Sequence, residues 1–248
     1  MAENQHDSSH KSNKNIDISY LSGPSDRPLR HETIGSSLRI VAEKHPNAEA
    51  VVSVHEKRRL SFCELDREVD ALATGLLASG LERGDRVGIW APNSVSWLIL
   101  QFATARAGLI LVTFNTAYRQ AELAYVLRKV GCKALVLASG FKDISYPAVL
   151  DGIEAPDLTL RIMIDGDVRD GYRSLADIMA LADDASIAQM VAAEADNQID
   201  DIVNIQFTSG TTGTPKGVML SHHNLVNNGY FVGLRTGMVA GDRLCVPV

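Results

Sequence analysis

The sequence predicts a layered α/β fold with a largely parallel sheet and flanking helices, and three observations predict it. Short apolar runs, such as Arg86–Trp90 and Leu109–Thr113, alternate with stretches whose apolar residues recur at helical spacing. Cap and stop residues bracket those stretches, as Ser61 with Glu64 and Gly131 do. Hydrophobic residues make up 46% of the 248 positions and charged residues 22%, a balance that lets a chain of this length bury a core without disulfide or metal staples.

Residues 1–28 read as a disordered N-terminal tail and linker, polar at first and then rich in proline and small residues from Gly23 to Pro28. The folded unit is expected over residues 29–248. A helix spans Thr33–Lys44, with Ile34, Leu38 and Val41 on one face and Pro46 past its end. Ala50–Val54 and Arg59–Phe62 read as strands around the polar turn His55-Glu56-Lys57. Ser61 and Glu64 then form an S-x-x-E capping box, Leu65, Val69, Leu72 and Leu76 supply a buried stripe, and Gly80 stops the helix. Arg86–Trp90 is a strand. Ser94 caps a helix over Val95–Ala107, and Leu109–Thr113 is a buried strand. Leu123, Val126, Leu127 and Val130 lie at i, i+3, i+4 and i+7 of the next helix, which Gly131 ends, and Ala134–Leu137 is a further strand.

From Phe141 to Asp201 the pattern loosens. Arg161–Ile164 is a candidate strand, and Ser174–Leu181 and Ala185–Ala195 read as surface helices with no evident chemistry. Ile202–Phe207 and Val218–Leu220 are strands, a helix begins near Ser221, and Leu244–Val248 reads as one more apolar strand.

Several function classes are disfavoured. A net charge of -6 argues against nucleic acid, which needs a basic face. The longest apolar run, Trp97–Val112, is interrupted by Gln101 and Arg106 and is too short to span a bilayer. The first residues fit neither a secretory signal nor a mitochondrial presequence, so a cytoplasmic protein is expected. Cys63, Cys132 and Cys245 lack metal spacing and read as reduced thiols.

The chemistry concentrates in Thr208-Ser209-Gly210-Thr211-Thr212-Gly213-Thr214-Pro215-Lys216-Gly217, between two strands. Glycines let backbone N–H groups approach a ligand closely, five hydroxyl side chains offer rotatable donors, and Lys216 adds a point charge. Together they suit phosphate oxygens. The string is not a Walker A loop, because Pro215 precedes Lys216, Gly217 follows it, and a strand comes next. On composition alone, a solvated Gly/Thr-rich hairpin loop is an equal reading. Elsewhere, His222 and His223 read as cap and packing residues rather than metal ligands or bases. Trp90 and Trp97 read as core, Lys57-Arg58-Arg59 as a solvated charge cluster, and Asp200-Asp201 as residues flanking a sheet edge, without a metal role.

Thr208–Gly217 closely resembles the phosphate-binding signature of the adenylate-forming (AMP-binding) superfamily, which contains acyl- and aryl-CoA synthetases and peptide-synthetase adenylation domains. Leu60-Ser61-Phe62-Cys63-Glu64-Leu65, Ala107-Gly108, Asn115-Thr116-Ala117-Tyr118 and Ser221-His222-His223-Asn224-Leu225 resemble further family segments in the family's order. Asn115-Thr116 stands where Asn-Pro is usual. The wording resembles fatty and medium-chain acyl-CoA synthetases most. The resemblance implies an acid–thiol ligase using ATP, Mg²⁺ and coenzyme A: a carboxylic acid becomes an acyl-adenylate, and CoA then displaces AMP. It implies that Thr208, Ser209, Gly210, Thr211, Thr212, Gly213, Thr214 and Lys216 bind the nucleotide phosphates, with Lys216 catalytic in stabilising departing pyrophosphate. The family's later motifs do not occur, which implies an N-terminal portion of the adenylation domain, inactive alone. The alternatives are an aryl-CoA ligase, an amino-acid adenylation domain, or a non-catalytic nucleotide-binding remnant.

Overall fold

Thr33 starts the first helix as expected. Its hydroxyl accepts the N–H of Ser36 in the computed structural model, which describes residues 26–208 and 215–246, and α1 runs Ile34–Lys44. The expected tail therefore lies almost wholly outside the described residues. β1 (Glu49–Ser53) and β2 (Arg58–Ser61) form an antiparallel hairpin. The Ser61–Glu64 capping box is made in both directions at the start of α2 (Phe62–Ala78), and Leu65, Val69, Leu72 and Leu76 are all buried. β3 (Arg86–Trp90), α3 (Val95–Arg106), β4 (Ile110–Thr113), α4 (Gln120–Val130) and β5 (Cys132–Leu137) follow where the apolar periods place them. Gly131 takes φ 57° and closes α4 in the left-handed region that a side chain would disfavour.

The looser segment holds β6 (Gly140–Phe141), β7 (Ile144–Ser145), α5 (Tyr146–Asp151), β8 (Leu160–Met163), β9 (Arg173–Ser174), α6 (Leu175–Met179) and α7 (Asp184–Asp196). Then come β10 (Ile202–Thr208), β11 (Lys216–Ser221) and α8 (His222–Arg235). The main sheet has the order β11-β10-β4-β3-β5-β8-β9, and every adjacent pair is parallel except β10 with β11. From β3 the chain steps one way to β4, then back across β3 to β5. Right-handed crossovers therefore put α3 and α4 on opposite faces. α1, α2, α3, α6 and α7 pack with one another, and α4 packs with α5.

Two contacts tie this framework together. Trp90, fully buried, stacks on Tyr146 with ring centres 3.7 Å apart and donates Nε1–H to the carbonyl of Asn115. The Tyr146 hydroxyl donates to the next carbonyl, Thr116, while Asn115 Oδ1 accepts the N–H of Ala117. The Asn115-Thr116 turn is thus held through its main chain, so threonine serves there. On the other face α6 meets α2 at Gly75, where an added Cβ would lie 2.1 Å from the Ile178 carbonyl oxygen.

Three expectations need correction. Leu244–Val246 is not a strand: it finds no ladder partner among the described residues, and Leu244 and Val246 stay largely exposed beside Val51, Val54 and Trp97. Pro247 and Val248 lie outside the described residues. Arg58 is not simply solvated, since its Nη2 sits 2.7 Å and 2.8 Å from the two carboxylate oxygens of Glu68. The helix read as featureless, now α7, carries Glu194 into an ion cluster around Arg106, a side chain with no exposure. That partnership joins positions far apart in the chain, so local pattern could not reveal it.

Candidate phosphate-binding site

β10 lies beside β4 and runs parallel to it, so its carboxyl end emerges next to the end of β4 at Thr113–Asn115. In open α/β sheets, ligands bind beyond the carboxyl ends of the parallel strands. β10 ends there at Thr208, and β11 returns antiparallel from Lys216. Thr208 and Lys216 are the terminal register pair of the hairpin. The glycine- and threonine-rich string therefore begins at the carboxyl end of β10. Ser209, Gly210, Thr211, Thr212, Gly213 and Thr214 lie outside the described residues, whereas Thr208 and Lys216 flank them as exposed residues.

The base of the hairpin has a neighbour on each flank. On the entering flank the Phe207 ring lies 6.3 Å from that of Phe114, at the end of β4. Phe207 also faces Gly217 across the ladder. A Cβ on Gly217 would sit 3.2 Å from Ile205 Cγ2, a tight approach, and 3.6 Å from Phe207 Cε1, an ordinary contact, so the bare glycine chiefly leaves room for Ile205. On the leaving flank the Tyr125 hydroxyl of α4 donates to the Pro215 carbonyl at 3.4 Å. Neither aromatic contact is legible in the motif itself, although Phe207 stands in the apolar run that predicts β10.

The profile of the family described as "AMP-binding enzyme" matches residues 38–248. The chain belongs to this family. It is 44% identical to the mitochondrial medium-chain acyl-CoA ligase of Rattus norvegicus over 239 residues, which are 90% of this chain and 39% of that protein. It thus spans about two fifths of the length of the curated relatives it matches. The N-terminal domain of FACL13 from Mycobacterium tuberculosis superposes with a TM-score of 0.62 at 29% identity, covering 77% of this chain and 44% of that one. A long-chain-fatty-acid-CoA ligase from Archaeoglobus fulgidus shares the fold at a TM-score of 0.71 and 24% identity, covering 91% and 44%.

In this member of the family, His222, after the hairpin, is a packed residue. His222 is 2% exposed, its main-chain N–H donates to the Asp201 carbonyl, and its ring Nδ1 accepts the main-chain N–H of Ile34 at 3.1 Å. Burial pulls its pKa down to about 4 despite the nearby Asp201, so the ring is neutral at pH 7. The main-chain N–H of His223 donates to the Ile199 carbonyl. The Asp201 carboxylate, at the entrance to β10, pairs with Arg83 and accepts the N–H of Gln198. Trp90 is core and Trp97 packs against it. Cys132 is buried and its thiol is pushed up to about 12 by burial, which removes it as a nucleophile. Among the described residues no cluster of His, Cys, Asp or Glu could hold a metal ion, and no helix is long and apolar enough to cross a membrane.

Proposed function

We propose that this chain forms the ATP-phosphate-handling part of an acyl-CoA synthetase that activates a fatty acid as its adenylate and passes it to coenzyme A. The observation that carries this reading is the register pair Thr208–Lys216 at the carboxyl end of β10, with the donor-rich string between them. Medium-chain acyl-CoA ligases among its relatives support the acid class and the thiol acceptor.

In this reading, Ser209, Gly210, Thr211, Thr212, Gly213 and Thr214 supply hydroxyl and backbone donors to the phosphates of MgATP. Lys216 offsets the charge that grows on pyrophosphate as it leaves. Mg²⁺ enters with ATP as part of the substrate. Among the described residues no cluster of His, Cys, Asp or Glu is placed to hold it.

Amine-reactive footprinting of Lys216 in the 248-residue chain, read by mass spectrometry, tests the assignment. MgATP and pyrophosphate should shield Lys216, and AMP, which lacks the departing phosphates, should not. Shielding by AMP equal to that by ATP, or none by any of the three, contradicts it.

A further inference from the structure

We propose that Tyr125 is a positioning residue for Lys216: its hydroxyl fixes the Pro215–Lys216 peptide unit and so sets how Lys216 meets a phosphate ligand. This rests on the function proposed above. The Tyr125 hydroxyl donates to the Pro215 carbonyl at 3.4 Å, although the two residues are 90 positions apart. That carbonyl belongs to the same rigid plane as the N–H of Lys216. Holding one end of the plane orients the other, together with the Cα from which the lysine side chain departs.

Pro215 stands one residue beyond the terminal ladder pair, Thr208–Lys216, so the shared plane has a ladder residue at its N–H end and the Tyr125 hydroxyl at its carbonyl end. Pro215 has no N–H with which to make a bond of its own. The anchor, by contrast, is firm. Tyr125 is half-buried on α4, between the buried residues Leu123 and Val126. On the opposite flank, Phe207 does the equivalent work beside the Phe114 ring. The leaving flank has an exposed lysine and glycine, and a hydrogen bond replaces packing there.

Tyr125→Phe removes the hydroxyl and keeps the ring, so the fold should persist. Hydrogen exchange on the full 248-residue chain should show the amides of Lys216 and Gly217 exchanging about two- to tenfold faster, as loss of one hydrogen bond predicts. Amides of β3 and the thermal midpoint should not change. The MgATP concentration that shields Lys216 should rise by a similar factor. Unchanged exchange at Lys216 and Gly217 overturns the proposal. So does faster exchange spread through β3 with a lower midpoint, which would make the hydroxyl a support of the whole fold. A local exchange effect with an unshifted MgATP titration overturns the positioning role. If MgATP shields nothing in the wild-type chain, the nucleotide reading fails, and ligand-free exchange still decides whether the tether exists.

Discussion

His222 Nδ1 accepts a hydrogen bond from the main-chain N–H of Ile34, 3.1 Å away and 188 positions earlier. The bond joins the first residue of α8 to the first residue of α1. It requires the neutral ring, because a protonated imidazole has no acceptor left. A cation would also sit against the positive end of α1.

Stability should therefore fall with acid in a defined window. Burial lowers the folded-state pKa of His222 to about 4, against about 6.5 in an unfolded chain. Between those values the unfolded state binds the extra proton. The contribution is complete above about pH 6.5, is lost as pH falls toward 4, and amounts to at most about 3 kcal/mol. His222→Asn keeps an acceptor and loses the titration. Urea unfolding at several pH values between 7 and 4 should give a steeper loss in the wild type than in the variant. Equal slopes would show that His222 does not set the dependence.

Arg106 is a second long-range joint. Its guanidinium, without exposure, meets Asp66 at 2.7 Å, Asp70 at 2.5 Å and Glu194 at 3.2 Å, and donates to the Gly35 carbonyl. Arg39 binds the same three carboxylates from α1. The cluster thus fastens α1, α2, α3 and α7. Arg106→Met leaves those carboxylates with one cation, and it should cost about 3–5 kcal/mol in urea unfolding, as breaking a buried pair does. A loss below about 1 kcal/mol would mean that the carboxylates find water instead.

The sequence made local devices readable. The Ser61–Glu64 box, the Leu65–Leu76 stripe and the Gly131 stop each use residues within one helix, and the structure places them as the spacing predicts. The glycine- and threonine-rich string is equally local in the sequence, and the strands that flank it, β10 and β11, meet at the carboxyl end of β10. What stayed hidden was non-local. β6, β7 and β9 have two residues each, too few to show a period. Arg106 interrupts an apolar run and reads there as a defect, until folding brings Asp66, Asp70 and Glu194 around it. Leu244–Val246 carries the composition of a strand but lacks a neighbouring backbone, and composition alone does not form a ladder.

Replacing the matching two fifths of the rat medium-chain acyl-CoA ligase with residues 1–248 places Lys216 in a full-length ligase. ATP–pyrophosphate exchange dependent on a medium-chain fatty acid then reports the adenylation step alone. The folded chimaera should catalyse exchange. Lys216→Ala should slow it about ten- to a hundredfold, the worth of one charge-assisted hydrogen bond to the departing phosphates, while AMP affinity holds. A chimaera that melts cooperatively yet shows no exchange, or one whose exchange survives Lys216→Ala intact, would contradict the role given to Lys216.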